Sequence, residues 1–150
     1  MKLSINKNTL ESAVALCNAY VDKKDSSAII SHLLFEAKDD RLIIKASDYE
    51  FGLTYKIKKI HIEKEGFATV QAKSIVDMIK NLANEDIVLE TVENSLFIRQ
   101  KSTKYKLAMF NYEDFPSFPN TDDKDKFDLD SSDLSRSLKK ILPAVDINNP

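Results

Sequence analysis

Glycine is almost absent: Gly52 and Gly66 are the only two in a chain of 150 residues. A glycine-rich loop brings successive backbone N–H groups up to a phosphate, so nucleotide-binding folds built on such a loop are excluded. Histidine is equally scarce, at His32 and His61. Neither has a second His or Cys at ligand spacing, which speaks against a metal site, and His32, inside an apolar run, reads as a structural residue. The single cysteine, Cys17, has nothing to pair with in the chain. At an apolar helical position it reads as a small buried hydrophobe. No stretch approaches about eighteen consecutive apolar residues, and the N-terminus runs into a strand pattern instead of a charged, apolar and small-residue leader. The expectation is a soluble, cytoplasmic protein. Carboxylates are plentiful, but Asp39, Asp40, Asp48, Glu50, Asp122 and Asp123 fall mostly at turns and linkers. Asp is favoured there for its side-chain hydrogen bonds, a reading that outweighs an acid–base pair. Without a nucleophile, metal cluster or phosphate loop, neither catalysis nor a cofactor is expected.

What the chain does have is one unit written three times. In residues 2–22, Leu3 and Ile5 alternate as a short strand would, and from Leu10 the period changes, so that Leu10, Val14, Cys17 and Val21 fall on one helical face. Asn8 with Glu11 three residues later is the helix-start signal. A shift of 124 positions finds Lys126-Phe127-Asp128-Leu129 as the same strand, Leu134, Leu138, Ile141 and Val145 on the same face, and Asp146 answering Asp22. A shift of about 65 finds a further copy, with Ala68 and Val70 for the strand and Ile75 and Ile79 for the helix. Repetition at fixed spacing is an architectural signal.

Between the copies, strands are expected from 28 to 35, around Leu42, Ile44 and Ala46, and along Phe51, Leu53, Tyr55 and Ile57, whose alternation with Glu50, Thr54, Lys56 and Lys58 is the clearest of all. A connection through Glu63-Lys64-Glu65-Gly66 leads to the second copy, with strands near 87–91, 96–99 and 105–109. Leu42-Ile43-Ile44-Lys45 and Leu96-Phe97-Ile98-Arg99 are the same strand in two halves. The turns are too short for parallel crossovers, so the class is α+β with internal pseudo-symmetry: two repeats of strand, helix and three strands, in antiparallel sheets with the helices on one face. A hydrophobic content of 43% supports one sizeable core. The expected domains are therefore 1–121 and an unfinished second one, 122–150, holding a linker, a strand and a helix; the chain reads as a fragment.

The lysines allow two readings. Lys73 and Lys80 stand seven apart on the solvent side of the second helix, and Lys23 and Lys24 follow the end of the first. Pseudo-symmetry sets the two helices side by side, so the four charges share one surface, which Arg136, Lys139 and Lys140 on the third helix would extend. The other reading is an ordinary solvated face, with Asp77 as an i,i+4 partner of Lys73. The net charge of −2 argues against gripping nucleic acid by charge alone. Tight non-specific binding takes about 6–10 phosphate contacts, and one face of this chain offers roughly half of that, so contact would be weak and salt-sensitive.

Met1-Lys2-Leu3-Ser4-Ile5 at the start, Ser47-Asp48-Tyr49-Glu50 between strands, Val70-Gln71-Ala72-Lys73 opening the second helix and Asp114-Phe115-Pro116 closing the domain together resemble the bacterial sliding clamp, the β subunit of DNA polymerase III. The resemblance runs in register along the whole chain. It implies the DNA-clamp fold, with three such domains per subunit and two subunits closed head-to-tail around duplex DNA. Helices would line the hole and sheets form the outside, in a non-catalytic processivity factor that tethers the replicative polymerase. It also implies that Lys24 occupies a DNA-touching loop position and that Lys73 and Lys80 match basic positions of the second helix, with Lys23 beside them. Tyr105 and Leu107 match the apolar residues of the subunit contact, left bare here for want of a third domain. The pocket for polymerase and clamp-loader peptides would lie in domains this chain lacks. Alternatives from other classes are a small protein-interaction module that uses a sheet edge, and a hydrolase pairing His32 with a carboxylate.

Overall fold

The computed structural model describes residues 1–24, 28–118 and 128–145. Strand β1 (Lys2–Asn6) runs directly into helix α1 (Lys7–Cys17). The cap is Asn6 and not Asn8: the Asn6 side-chain carbonyl accepts the Asn8 N–H at 3.1 Å. Glu11 is free of any capping role and takes the Lys7 ammonium at 2.6 Å. Leu10, Val14 and Cys17 are buried from α1, and a single 3-10 turn (Asn18–Tyr20) carries the chain on so that Val21 is buried as well.

The unit recurs as the sequence spacing requires. Strand β6 (Gly66–Gln71) feeds helix α2 (Ala72–Lys80), which opens 65 positions after α1. Helix α3 (Ser131–Ile141) opens 124 positions after α1, and both helices have 11 residues. Its cap, Asp130, accepts from the N–H groups of Ser132 and Asp133, each at 2.9 Å. Of the strand expected before α3, Lys126 and Phe127 lie outside the described residues, as does Asp146, while Asp128 and Leu129 have no regular structure.

The remaining strands are β2 (His32–Lys38), β3 (Arg41–Ser47), β4 (Gly52–Lys58), β5 (His61–Lys64), β7 (Asp86–Val92), β8 (Ser95–Gln100) and β9 (Thr103–Ala108). All pairing is antiparallel, in a sheet of order β5-β1-β7-β8-β9 and a sheet of order β4-β3-β2-β6. The two repeats exchange their first strands: β1 pairs with β7 of the second repeat, Leu3 opposite Leu89 and Ile5 opposite Ile87. Conversely, β6 pairs with β2 of the first, Val70 opposite Leu33 and Ala68 opposite Phe35. All eight of these side chains are buried, so one core spans both repeats. Helices α1 and α2 pack on each other and against the sheets.

Three local expectations need correcting. Residues Ile29–Ser31 form a 3-10 turn, so the strand expected from 28 starts at His32. The segment taken as a plain connection contains β5, which pairs with β1 and places the exposed His61 at its first position. The strand expected from Phe51 starts at Gly52, leaving Phe51 65% exposed before it, and the apolar face of β4 is only partly covered, because β4 is the outer strand of its sheet: Ile57 is buried, whereas Tyr55 is exposed.

The chain divides into two compact units, Met1–Phe118 and Pro119–Pro150. In the second, Leu134, Leu138 and Ile141 of α3 are exposed. In the first, residues 109–118 cross the outer face of the four-stranded sheet. The Phe110 N–H donates to the Thr69 carbonyl at 3.0 Å, and Tyr112 stacks on Phe67 with centroids 4.5 Å apart. Phe118 comes so close to Gly52 that a Cβ there would stand 3.1 Å from its ring, so a larger residue would make the ring give by a few tenths of an ångström. This strap follows β9 to the edge of β6 as β5 follows β4 to the edge of β1, a further sign of the internal symmetry. No helix among the described residues is long and apolar enough to cross a membrane.

Candidate nucleic-acid interface

Helices α1 and α2 turn their apolar stripes inward and leave their polar faces exposed together. From α2, Ile75 and Ile79 are fully buried, and Lys73 and Lys80 are exposed on the opposite side with Asp77. The exposed side of α1 is short and neutral, formed by Asn8, Thr9, Ser12, Ala15 and Leu16. The cations of this face therefore come from α2 and from the residues just after α1.

Those residues are held in place. Buried Val21 anchors the chain, the Asp22 N–H donates to the Ile30 carbonyl at 3.0 Å, and the Asp22 carboxylate accepts the Lys24 N–H at 2.7 Å. Lys23 and Lys24 thus leave from a fixed base, although Asp25, Ser26 and Ser27 lie outside the described residues. Lys23 and Lys73 line one cleft between the end of α1 and the start of α2. Lys24 borders a second cleft, shared with Asp48 and Glu50. Asp48 is itself fixed, its carboxylate accepting the N–H groups of Glu50 at 3.1 Å and Phe51 at 2.7 Å.

Among the described residues, no ion pair engages Lys23, Lys24, Lys73 or Lys80, so the i,i+4 pairing expected between Lys73 and Asp77 does not form. Several cations elsewhere are neutralised: Lys2 pairs with Glu63 at 2.5 Å, Lys45 with Glu36 at 3.3 Å and Arg99 with Glu90 at 2.8 Å. In the second unit, Arg136 is engaged by Asp133 at 2.5 Å, and Lys139 and Lys140 occupy the last turn of α3.

Strand β9 is the free edge of the five-stranded sheet. Leu107 is only 7% exposed and belongs to the core of its own unit, so the expectation of a bare Leu107 does not hold. Tyr105 is half-buried against the same core. What β9 leaves open is its backbone edge and a basic cluster that the residue-by-residue reading missed. Lys104, Arg99 and Lys106 lie 4.4, 5.7 and 5.9 Å from the centroid of the Phe97 ring. Its signal was the alternation in β8 and β9, which sets Phe97 opposite Lys106 and Arg99 opposite Lys104.

His32 is a buried strand residue. Its Nδ1 donates to the Ala28 carbonyl at 3.0 Å with the Ser31 hydroxyl 3.1 Å away, and burial holds its pKa below the usual value. Among the described residues, no carboxylate is among its hydrogen-bonding partners. No group of three or more His, Cys, Asp or Glu among the described residues stands where it would hold a metal ion.

A family model described as "DNA polymerase III beta subunit, N-terminal domain" matches residues 1–119. The beta sliding clamp of Helicobacter pylori strain J99 is 39% identical over 146 residues, which is 97% of this chain and 39% of that protein. The beta sliding clamp of Mycoplasma genitalium is 26% identical over 155 residues, 99% of this chain and 41% of that protein. The crystal structure of the Helicobacter pylori beta clamp bound to a DNA ligase peptide superposes with a TM-score of 0.91 at 39% identity, over 97% of this chain and 41% of that one. The chain thus spans about two fifths of the length of the curated relatives it matches.

Proposed function

Because the chain belongs to the DNA polymerase III beta subunit family through the N-terminal domain of that family, we propose that it serves DNA replication as the first arc of a sliding clamp. In this reading residues 1–121 are the first clamp domain and residues 122–150 open the second. The complete protein closes head-to-tail as a dimeric ring around duplex DNA, and tethers the replicative polymerase in the cytoplasm without catalysing a reaction itself. Polymerase and clamp-loader peptides bind the ring beyond the residues of this chain.

The observation that carries the reading is the set of exposed lysines, Lys23, Lys24, Lys73 and Lys80, on the helical side with no ion-pair partner among the described residues. A ring holds DNA by topology and has to slide, so a few weak phosphate contacts within a protein of net charge −2 suit it better than a tight grip. The edge strand β9, with Tyr105 and Leu107, is the side at which a second subunit pairs. Leu107 supports that edge from within, and the open backbone makes the contact.

The test is a low-salt titration of a labelled duplex with the chain. Weak binding, equal for unrelated sequences, steeply salt-dependent and lost when Lys23, Lys24, Lys73 and Lys80 all become Ala, is expected. Sequence-specific binding, or affinity unchanged in the fourfold variant, would favour a protein-interaction module instead.

A further inference from the structure

We infer that the face of the four-stranded sheet turned away from the core binds single-stranded nucleic acid, with Lys38, Arg41 and Lys58 on its phosphates and the stacked rings of Phe67 and Tyr112 under a base. This surface is separate from the helical side, so the inference does not rest on the duplex reading above.

Strand register gathers the cations. Lys38 of β2 stands directly opposite Arg41 of β3, and Arg41 opposite Lys58 of β4. Their neighbours Ala37, Leu42 and Ile57, also opposed, are buried in the core, so the three cations share the outward face. In the next outward row, Lys56 lies opposite Ile43, and Ile43 opposite Glu36. Neighbouring strands are about 4.8 Å apart, and like charges directly opposite each other are destabilising. The nearby carboxylates relieve little of this. Glu36 is taken by Lys45 at 3.3 Å, Asp39 meets Arg41 only at 3.6 Å, Glu65 accepts the Asp39 N–H at 3.0 Å, and Asp40 shares a cleft with Lys59. Among the described residues, no ion pair engages Lys38, Lys56 or Lys58. A row of opposed cations that costs stability in the free protein is relieved by a bound polyanion.

The rings stand at the other side of the same face. Phe67 of β6 lies opposite Glu36, and Tyr112 stacks on it with planes inclined at 9° and centroids 4.5 Å apart. Phe67 covers one face of the Tyr112 ring, yet Tyr112 is 44% exposed, which leaves its other face for a further ring. From Phe67 to Lys56 the face spans three strand spacings, roughly 14 Å. That width suits the two or three bases that other four-stranded sheets stack. An extended acidic peptide fits less well. Strands β2 and β3 are paired on both edges, so the middle of the face offers no free N–H or C=O groups to a peptide backbone. A nucleic-acid strand needs only side-chain cations and rings.

The test is fluorescence anisotropy of a labelled oligothymidine of about ten nucleotides, on the full 150-residue chain at low salt. Each cation that neutralises a phosphate of a single strand adds about 0.7 to the slope of log K against log salt, so changing Lys38, Arg41 and Lys58 together to Ala should lower the slope by about 2. That variant should unfold no earlier than the unaltered chain, since opposed like charges are removed. Tyr112→Ala should weaken binding about fivefold or more, the worth of one stacked base, and Tyr112→Phe, which keeps the ring, should restore it. Changing Lys23, Lys24, Lys73 and Lys80 to Ala should leave most of the affinity for the oligonucleotide. An unchanged slope in the triple variant, unchanged affinity in Tyr112→Ala, or loss of binding in the helical-side variant overturns the inference. Oligoglutamate that displaces the label as well as unlabelled oligothymidine does would point to an acidic protein segment and overturn it too, as would absence of any binding by the unaltered chain. None of these outcomes touches the duplex reading, which the duplex titration tests by itself.

Discussion

Phe110 lies against the ring of His32, with centroids 4.3 Å apart and planes inclined at 59°. The contact explains why a histidine on the outward face of the four-stranded sheet is 2% exposed. Leu34 and Thr69, opposite each other on β2 and β6, are buried on the same face. The strap of residues 109–118 therefore forms a small second layer outside the sheet, anchored by aromatic rings.

Burial holds the His32 pKa below its ordinary value of 6.5, the Ala28 carbonyl opposing this in part. The fold accordingly prefers neutral His32, and the unfolded chain takes up the proton first as pH falls. Stability is present above pH 6.5 and is lost progressively as pH drops from there towards the folded-state pKa. Urea unfolding at pH 7.5 and 5.5, pH values chosen to span that window, should show a drop that His32→Gln flattens; an identical drop in the variant would remove His32 as its cause.

Phe110→Ala should cost about 0.5–1.5 kcal/mol beyond the lost apolar area, the worth of an aromatic pair. It also opens His32 to water, so the ring should titrate closer to its ordinary value when followed by NMR. A His32 titration unchanged in the variant would show that the strap does not control its burial.

Asn6→Ala should destabilise the first unit by about 1 kcal/mol through loss of the α1 cap. Asn8→Ala, at an exposed position inside the helix, should change stability by less than about 0.5 kcal/mol. Chemical denaturation of the two variants side by side tests which asparagine starts the helix.

Cys17 is fully buried, and burial pushes its thiol up to about 11. At neutral pH the thiolate is scarce and sheltered. Alkylation should therefore be slow in the native chain and fast in denaturant, with a rate that reports opening of α1. Rapid native labelling would contradict the packing of that helix.

Leu107→Ala should cost about 2–5 kcal/mol, because the side chain serves the core of its own unit. Tyr105→Asp should leave the fold intact and weaken the concentration-dependent self-association expected of a free sheet edge. Sedimentation velocity over a range of concentrations reads the second effect, and the thermal midpoint the first. A Tyr105→Asp variant that associates as strongly as the unaltered chain would remove Tyr105 from the contact.

The repeats, the helix stripes and the antiparallel class can be read off the residues alone. Period and spacing are local properties: Leu10, Val14 and Cys17 share a face wherever the helix goes, and the 65- and 124-position shifts set α2 and α3 against α1. The outward direction of Lys73 and Lys80 was legible for the same reason, since a stripe that buries Ile75 and Ile79 turns them to solvent, whereas the lack of a Lys73–Asp77 pair among the described residues was not. Which strands are neighbours is settled by the packing of the folded chain. Alternation says which side of a strand is apolar but nothing about the partner of its generic backbone hydrogen bonds, so the exchange of β1 and β6 between repeats was not readable. The cover over His32 and Thr69 likewise depends on a strap far along the chain, whose Phe110 is hydrogen-bonded to Thr69. The shared cleft of Lys23 and Lys73, and the carboxylates beside Lys24, arise because the end of α1 meets both the start of α2 and the turn before β4. Such meetings are set by packing of distant segments, which no local pattern encodes.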